Sequence, residues 1–271
     1  MNLVSGNVDI VNKVAWQDIK RLQDNPSISL EEGDSLGFQG IHLNNEVEPF
    51  SNPYIRQAVN VAIDREAIVN VAFYDGAVPS ISGISPASSM HTAFVDQPKA
   101  NPEKARELVK QSGMDDVRFT LSISPSPTEE TIAEMVQSML GEVGITVEIE
   151  MVEFGQLLEQ LDIGTFQAIR NGWSGRIDPD GNLKRFFSTD GTNNYMRYSN
   201  ERVDELLEQA SRELEVDVRT KLYEEANEIA WEEAPYIFLY HEGDFKAMKK
   251  EIKGFPHIAD TMIRTEKMYR E

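Results

Sequence analysis

Between residues 117 and 172 the apolar positions change period repeatedly, and that alternation constrains the fold more than any other feature of the chain. Val117, Phe119, Leu121 and Ile123 recur at every second position, the spacing of a strand with one buried face. Ile132, Met135, Val136, Met139, Leu140 and Val143 then follow the three-and-four spacing of a helix. Ile145, Val147, Ile149 and Met151 return to the two-residue period, with Glu148 and Glu150 directed to the other face. "FGQLLEQLDIG" reads as a second helix and "FQAIRNG" as a third strand. The order β-α-β-α-β predicts a right-handed parallel unit and places the chain in the α/β class. Ligands of such sheets collect outside the carboxyl ends of the strands. "NGWSGRIDPDGN", residues 171 to 182, leaves the third strand at such an end.

Two readings of that loop follow from its chemistry. In one it is a strand-to-helix turn: Gly172, Gly175 and Gly181 supply positive φ, and Arg176 pairs with Asp178 or Asp180. In the other, the indole of Trp173 walls a cleft and the glycines let the backbone approach a ligand. Arg176 then offers a planar fork to a carboxylate. Asp178, Asp180 and Asn182 stand at alternate positions, as calcium ligands do. An EF-hand, however, needs Gly at 183 and Glu at 189, where the chain has Leu183 and Thr189.

The rest of the chain is organised around this unit. Residues 1 to 50 alternate short apolar pieces with turns and read as strands and a short helix. "NPYIRQAVNVAIDREAIVNVAF" is helical, with Ile55, Val59, Ala62 and Ile63 on one stripe and Asn52-Pro53 as cap and first turn. A Gly/Pro/Ser-rich loop runs from Asp75 to Pro98, long enough to be functional or draped over another element. "NPEKARELVKQSG" is a short helix capped by Asn101 and closed by Gly113. Two helices in tandem follow the central unit, carrying Val203, Leu206, Leu207, Ala210 and Leu214, then Val218, Leu222, Ala226, Ile229 and Ala230. "APYIFLYHEG" is a strong final strand before a mixed tail.

Charge and residue usage narrow the function. The 271 residues hold 26 Lys and Arg against 46 Asp and Glu, a net charge of -20. Nucleic acid and anionic membrane surfaces are therefore improbable partners, and an anionic ligand would need a local cation. Cysteine is absent, which removes disulfides, thiol nucleophiles and thiolate metal sites. There is no apolar run near the length of a membrane span, and no secretory leader pattern at the start. His42, His91, His241 and His257 are scattered without the spacing of a catalytic metal site. No GxSxG elbow, phosphate loop or dinucleotide fingerprint appears. Glu232 and Glu233 belong to a charged helix face rather than a glycosidase pair. No cofactor is expected.

Several segments, in order, resemble the extracellular solute-binding proteins of oligopeptide, dipeptide and nickel ABC importers. "LVSGNVDIV" is similar to the family's L-x-x-G-x-x-D-I, and "GIHLNNEVEPFSNPYIRQAVNVAIDREAIV" to its Asn-rich strand and VRQAL-x-x-AIDR helix. "ANPEKARELVKQSG", "YSNERVDELLEQA", "RTKLYEEANEIAWEEAPYIFLYH" and "IKGF" resemble later landmarks. The resemblance implies the periplasmic-binding-protein-like fold, in which two lobes close over a ligand. It implies a partial first lobe and crossover over 1–44, a complete second lobe over 45–234, and a return crossover with partial first lobe over 235–271. On this reading the chain is a fragment, and its open sheet edges predict self-association.

The resemblance also implies an extracytoplasmic location, a lipid anchor on a segment outside this sequence, and ABC permease subunits as partners. For the opening loop it implies a ligand site at Trp173, Ser174, Gly175, Arg176 and Asp178. The family often carries an Asp, which pairs with a peptide's α-amino group, where this chain has Arg176. That reversal favours a peptide-like or anionic solute held by its negative charge. Asn193, Asn194 and Tyr195 line the pocket by the same analogy, or serve as helix-entry capping. A nickel-chelate or haem carrier on the same fold and a carboxylate-dependent hydrolase are the rival readings.

Overall fold

The computed structural model describes residues 2–94 and 99–271. Its centre is the parallel unit expected from the sequence. β5 (Val117–Ile123), β6 (Ile145–Met151) and β7 (Ala168–Trp173) are joined by α5 (Pro127–Gly141) and α6 (Phe154–Ile163). β5 lies between the other two, parallel to both, so the chain turns back past its own first strand. Alternate side chains send the two helices to opposite faces. Leu121 and Ala168 pack with Ile132, Val136 and Leu140 of α5, whereas Ile169 packs with Leu157 and Leu161 of α6.

Antiparallel strands extend this core. β3 (Phe38–Leu43) pairs with β7 along its whole length and, on its other edge, with β8 (Tyr236–Lys249). The first half of β8 also takes β4 (Ala77–Pro79), and its second half takes β1 (Ile10–Val11) and β2 (Ile28–Asp34). Eight strands are thereby continuous through β8. β3 and the first half of β8 were expected outside the segment 45–234, yet they hydrogen-bond within the central sheet. The sheet therefore crosses both of the expected boundaries.

Elements outside the sheet complete the core on the α5 face and add two further packing groups. α2 (Pro53–Ala62) and α3 (Arg65–Phe73), with α4 (Pro102–Gln111), cover the α5 face. α7 (Lys184–Phe187), α8 (Glu201–Arg212) and α9 (Val216–Glu233) enclose Phe38, Tyr236 and Phe238 on the other. α1 (Ile19–Gln23) supports a small cluster of Leu3, Val14, Leu22, Ile28, Phe245 and Ala247 beside β2 and the end of β8. The tail carries β9 (Ile252–Lys253) and β10 (Tyr269–Arg270), which pair with each other.

Local chemistry explains most helix starts. Asn52, Asn101 and Ser126 each cap a helix whose next residue is proline, accepting from Tyr54 N, Lys104 N and Glu129 N. One expectation changes. The stretch from Asn52 to Phe73 is two helices, because Asp64 leaves helical geometry and its carboxylate caps a new start at Ala67 N. The Ser-rich loop after β4 is drawn inward: Ser80 Oγ lies 2.9 Å from His241 Nε2, and Ser80, Ser82 and Ser85 are buried. Its last four residues, 95–98, lie outside the described ones.

Candidate functional site

β7 runs past the end of β5, whose last paired residue on that side, Ser122, stands opposite Ile169. Residues 170–173 therefore project beyond the parallel core while still held by β3, with Phe38 opposite Trp173. A cleft of about 280 Å³ opens there. Asn171, Gly172, Trp173 and Ser174 form one wall, and Gln39 contributes from β3. The other wall comes from Trp16 and from Glu242 to Phe245 of β8, with Thr261 of the tail. The site thus sits at the carboxyl end of the sheet, between the central sheet and the part built by the chain's two ends.

The loop beyond Trp173 owes its path to specific contacts. Gly175 alone among its three glycines has a positive φ, of 77°, and a side chain there would meet the Leu36 backbone at 2.2 Å. Gly172 does not have a positive φ; its constraint is space, because a Cβ would lie 2.5 Å from the Phe38 backbone oxygen. The buried Asn182 clasps Arg176 through two bonds: its Oδ1 accepts from Arg176 N at 2.7 Å and its Nδ2 donates to Arg176 O at 3.1 Å.

The charges do not pair as the turn reading expects. Asp178 accepts two hydrogen bonds from the Arg219 guanidinium, at 2.7 and 3.2 Å, and Asp180 stands 3.5 Å from the same group. Burial works to raise the Asp178 carboxyl, but the Arg219 bond and the Asp180 amide outweigh it and hold the pKa below the usual carboxylate range. Tyr223 Oη also donates to Asp180, at 2.9 Å. The loop's two acids are therefore hydrogen-bonded by α9, Asp178 from 41 residues away and Asp180 from 43. Arg176 instead stacks on Trp173, its Cζ 4.2 Å from the ring centroid, and donates to Ser174 Oγ and Gly175 O. Among the described residues it has no carboxylate partner.

The remaining expected site residues are placed as follows. Trp173 and Ser174 line the cleft, while Gly175, Arg176 and Asp178 continue from its rim into the loop. Asn194 is committed to its own turn: Nδ2 donates to the carbonyls of Ser188, Thr189 and Tyr198, and Oδ1 accepts from Tyr198 N. Asn193 Nδ2 donates to Tyr195 Oη at 2.7 Å. The Tyr195 ring packs edge-on to His42 and Phe186, one aromatic neighbour removed from Trp173.

Two features at the site were not apparent from the sequence. Arg170 is buried beneath the cleft, where it donates to Gln39 Oε1 at 3.0 Å and to Tyr240 Oη, and lies 3.3 Å from Glu129 Oε1. Burial opposes its charge, but the Glu129 carboxylate and the tyrosine oxygens outweigh this and raise its pKa. Glu242 and Asp244 bring acids to the far wall, paired with Lys13 at 3.6 Å and with the buried Lys246. A lone Arg in an apolar strand and acids in the "HEGDFK" run are ordinary in sequence. Only distant segments meeting at the cleft give them a place.

An α/β sheet whose strand ends face a cleft, with the opposite wall reached through crossing strands, defines the periplasmic binding-protein fold. A family model described as bacterial extracellular solute-binding proteins, family 5 Middle, matches residues 1–194. The chain belongs to that family. A dipeptide-binding protein of Pseudomonas aeruginosa is 28% identical over 264 residues, covering 93% of this chain and 49% of the relative. The glutathione-binding protein GsiB of Escherichia coli is 29% identical over 272 residues, covering 96% and 53%. Among solved structures, the periplasmic binding protein DppA of Helicobacter pylori in complex with the peptide STSA aligns over all of this chain and 54% of its own. It has a TM-score of 0.89 at 25% identity. AppA of Bacillus subtilis in complex with a nonapeptide gives 0.87 at 26%, covering 100% and 57%. The chain thus spans about half the length of the relatives it matches. No helix among the described residues is long and apolar enough to cross a membrane.

Proposed function

We propose that this chain is the substrate-capturing part of an ABC importer, working outside the cytoplasmic membrane without catalysing a reaction. It takes up a small peptide-like or anionic solute and presents it to the permease subunits. The solute meets the rim from Trp173 to Arg176, with Ser174, Gly175 and Asp178 offering hydrogen bonds and Asn193 to Tyr195 standing behind. Capture proceeds by closure of the two lobes, because a ligand that touches both walls stabilises the closed form. The expected lobes, 1–44 with 235–271 and 45–234, close about the places where the chain passes between the two walls, after β2 and within β8. Copies of the chain are also expected to associate through the open edge of β6.

The observation that carries this reading is the charge arrangement of the loop. Arg219 engages both loop acids, which leaves Arg176 without an acidic partner among the described residues, beside a cleft-lining indole. In a chain of net charge -20, such a cation is suited to an anionic ligand group. Mass spectrometry of small molecules that co-purify with the native protein tests it. An anionic solute should be recovered from the unmodified protein and lost from Arg176→Ala. Equal recovery from the variant would sink the role given to Arg176.

A further inference from the structure

Three donor groups gather on one side chain of the cleft wall. Trp173 Nε1 is shielded from solvent and has no acceptor among the described residues. Two guanidinium groups lie over the same indole, Arg176 Cζ at 4.2 Å and Arg185 Cζ at 5.2 Å from the ring centroid. Arg176 donates to Ser174 Oγ and Gly175 O through Nη1, and Arg185 to Thr192 Oγ1 through Nε. Neither guanidinium has a carboxylate partner among the described residues. Neighbouring cations differ: Lys184 is paired with Glu208 at 2.5 Å, and Arg219 with Asp178 at 2.7 Å.

Two like charges on one ring repel at this range, since they stand within roughly one Debye length of each other. Stacking on the indole offsets part of that repulsion and orders both planes. The guanidinium nitrogens not bonded to Ser174, Gly175 or Thr192 (Arg176 Nε and Nη2, Arg185 Nη1 and Nη2) keep N–H groups that match carboxylate oxygens. A set made only of donors, with doubled positive charge, discriminates by counting the negative groups of its ligand.

We propose that Trp173, Arg176 and Arg185 form a two-guanidinium seat for a solute bearing two carboxylates, so that the captured ligand is an acidic peptide or peptide-like dicarboxylate. This rests on the solute-capture reading and narrows its substrate class. Arg185 becomes a specificity-determining residue, while Arg176 serves any anionic ligand.

The test uses the indole N–H resonances of the ¹⁵N-labelled chain, which has three tryptophans. Trp173→Phe assigns the relevant signal. N-acetylglutamate, N-acetylglutamine and N-acetylglutamine amide carry two, one and no carboxylates on nearly the same frame. The dicarboxylate should shift the Trp173 signal and bind roughly ten-fold or more tighter than the monocarboxylate, the worth of one further charged hydrogen bond. Arg185→Gln should bring the two affinities together, and Arg176→Gln should weaken both; amide spectra of each variant report folding. Equal affinities in the unmodified chain, no shift with any of the three, or an Arg185→Gln variant that keeps the ratio would overturn the proposal. Neutral di- and tripeptides that shift Trp173 as strongly as acidic ones would overturn it too, yet leave solute capture standing. If the dicarboxylate binds while no peptide does, the seat stands and the peptide-capture reading falls.

Discussion

Arg176 shows how a residue acquires a role from what its neighbours do. The sequence offers it two acids within four positions, and either could neutralise it. Both are instead held by α9, and the Arg176 backbone is clasped by Asn182, so the side chain falls onto Trp173. Histidines give the residue scale its clearest pH prediction. His42 lies between Tyr195 and Tyr236, with Nδ1 3.1 Å from Met196 Sδ. Burial, helped by the charge of Arg170, pushes its pKa down to about 3. Burial also takes His241 down to about 4, although its bond to Gly37 O works the other way. Between about pH 6.5 and these values the unfolded chain binds protons that the native one does not. Stability is therefore full above about pH 6.5 and declines as pH falls, at up to about 1.4 kcal/mol per pH unit for each histidine. Urea unfolding at pH 7, 6 and 5 should show this slope, roughly halved in His42→Gln. An unaltered slope in that variant would contradict the assignment.

Among elements, the strands and helices of the parallel unit were legible because each obeys one period. β8 was legible only in part. Its first half is plainly a strand, but the expected strand ended at Gly243, before a mixed tail. The chain continues extended because β1 and β2 supply hydrogen bonds on both sides and Asp244 neutralises the buried Lys246. The break between α2 and α3 was hidden for the opposite reason, since both helices share one apolar stripe. Gly175 provides the test at this scale. Alanine there meets a left-handed φ and the Leu36 backbone together, so Gly175→Ala should destabilise by roughly 1–3 kcal/mol and displace the Trp173 indole resonance. Gly141, at the end of α5, has open space where its Cβ would be. Gly141→Ala should be neutral or stabilise by up to about 1 kcal/mol in the same denaturation assay. Equal effects at the two positions would refute the account of the loop.

For the whole molecule, the β6 end of the central sheet is an edge. Among the described residues β6 pairs with β5 alone, and Met151, Phe154 and Leu158 are exposed where it leads into α6. Glu148 and Glu150 blunt that edge by charge, which salt screens. The sedimentation coefficient should therefore rise with loading concentration, and rise further at high ionic strength; a constant value would remove the β6 contact. The sequence by itself determined the parallel unit, the helix starts at Asn52 and Asn101 and the place of the loop at a strand end. Those follow from backbone sterics and burial over a few residues. Tertiary structure decided which charges remain available there. The pairing of Asp178 with Arg219, the stacking of Arg185 on Trp173 and the wall built from β8 join segments far apart in the chain. Such contacts exist only after the cores on both faces of the sheet have brought those segments together.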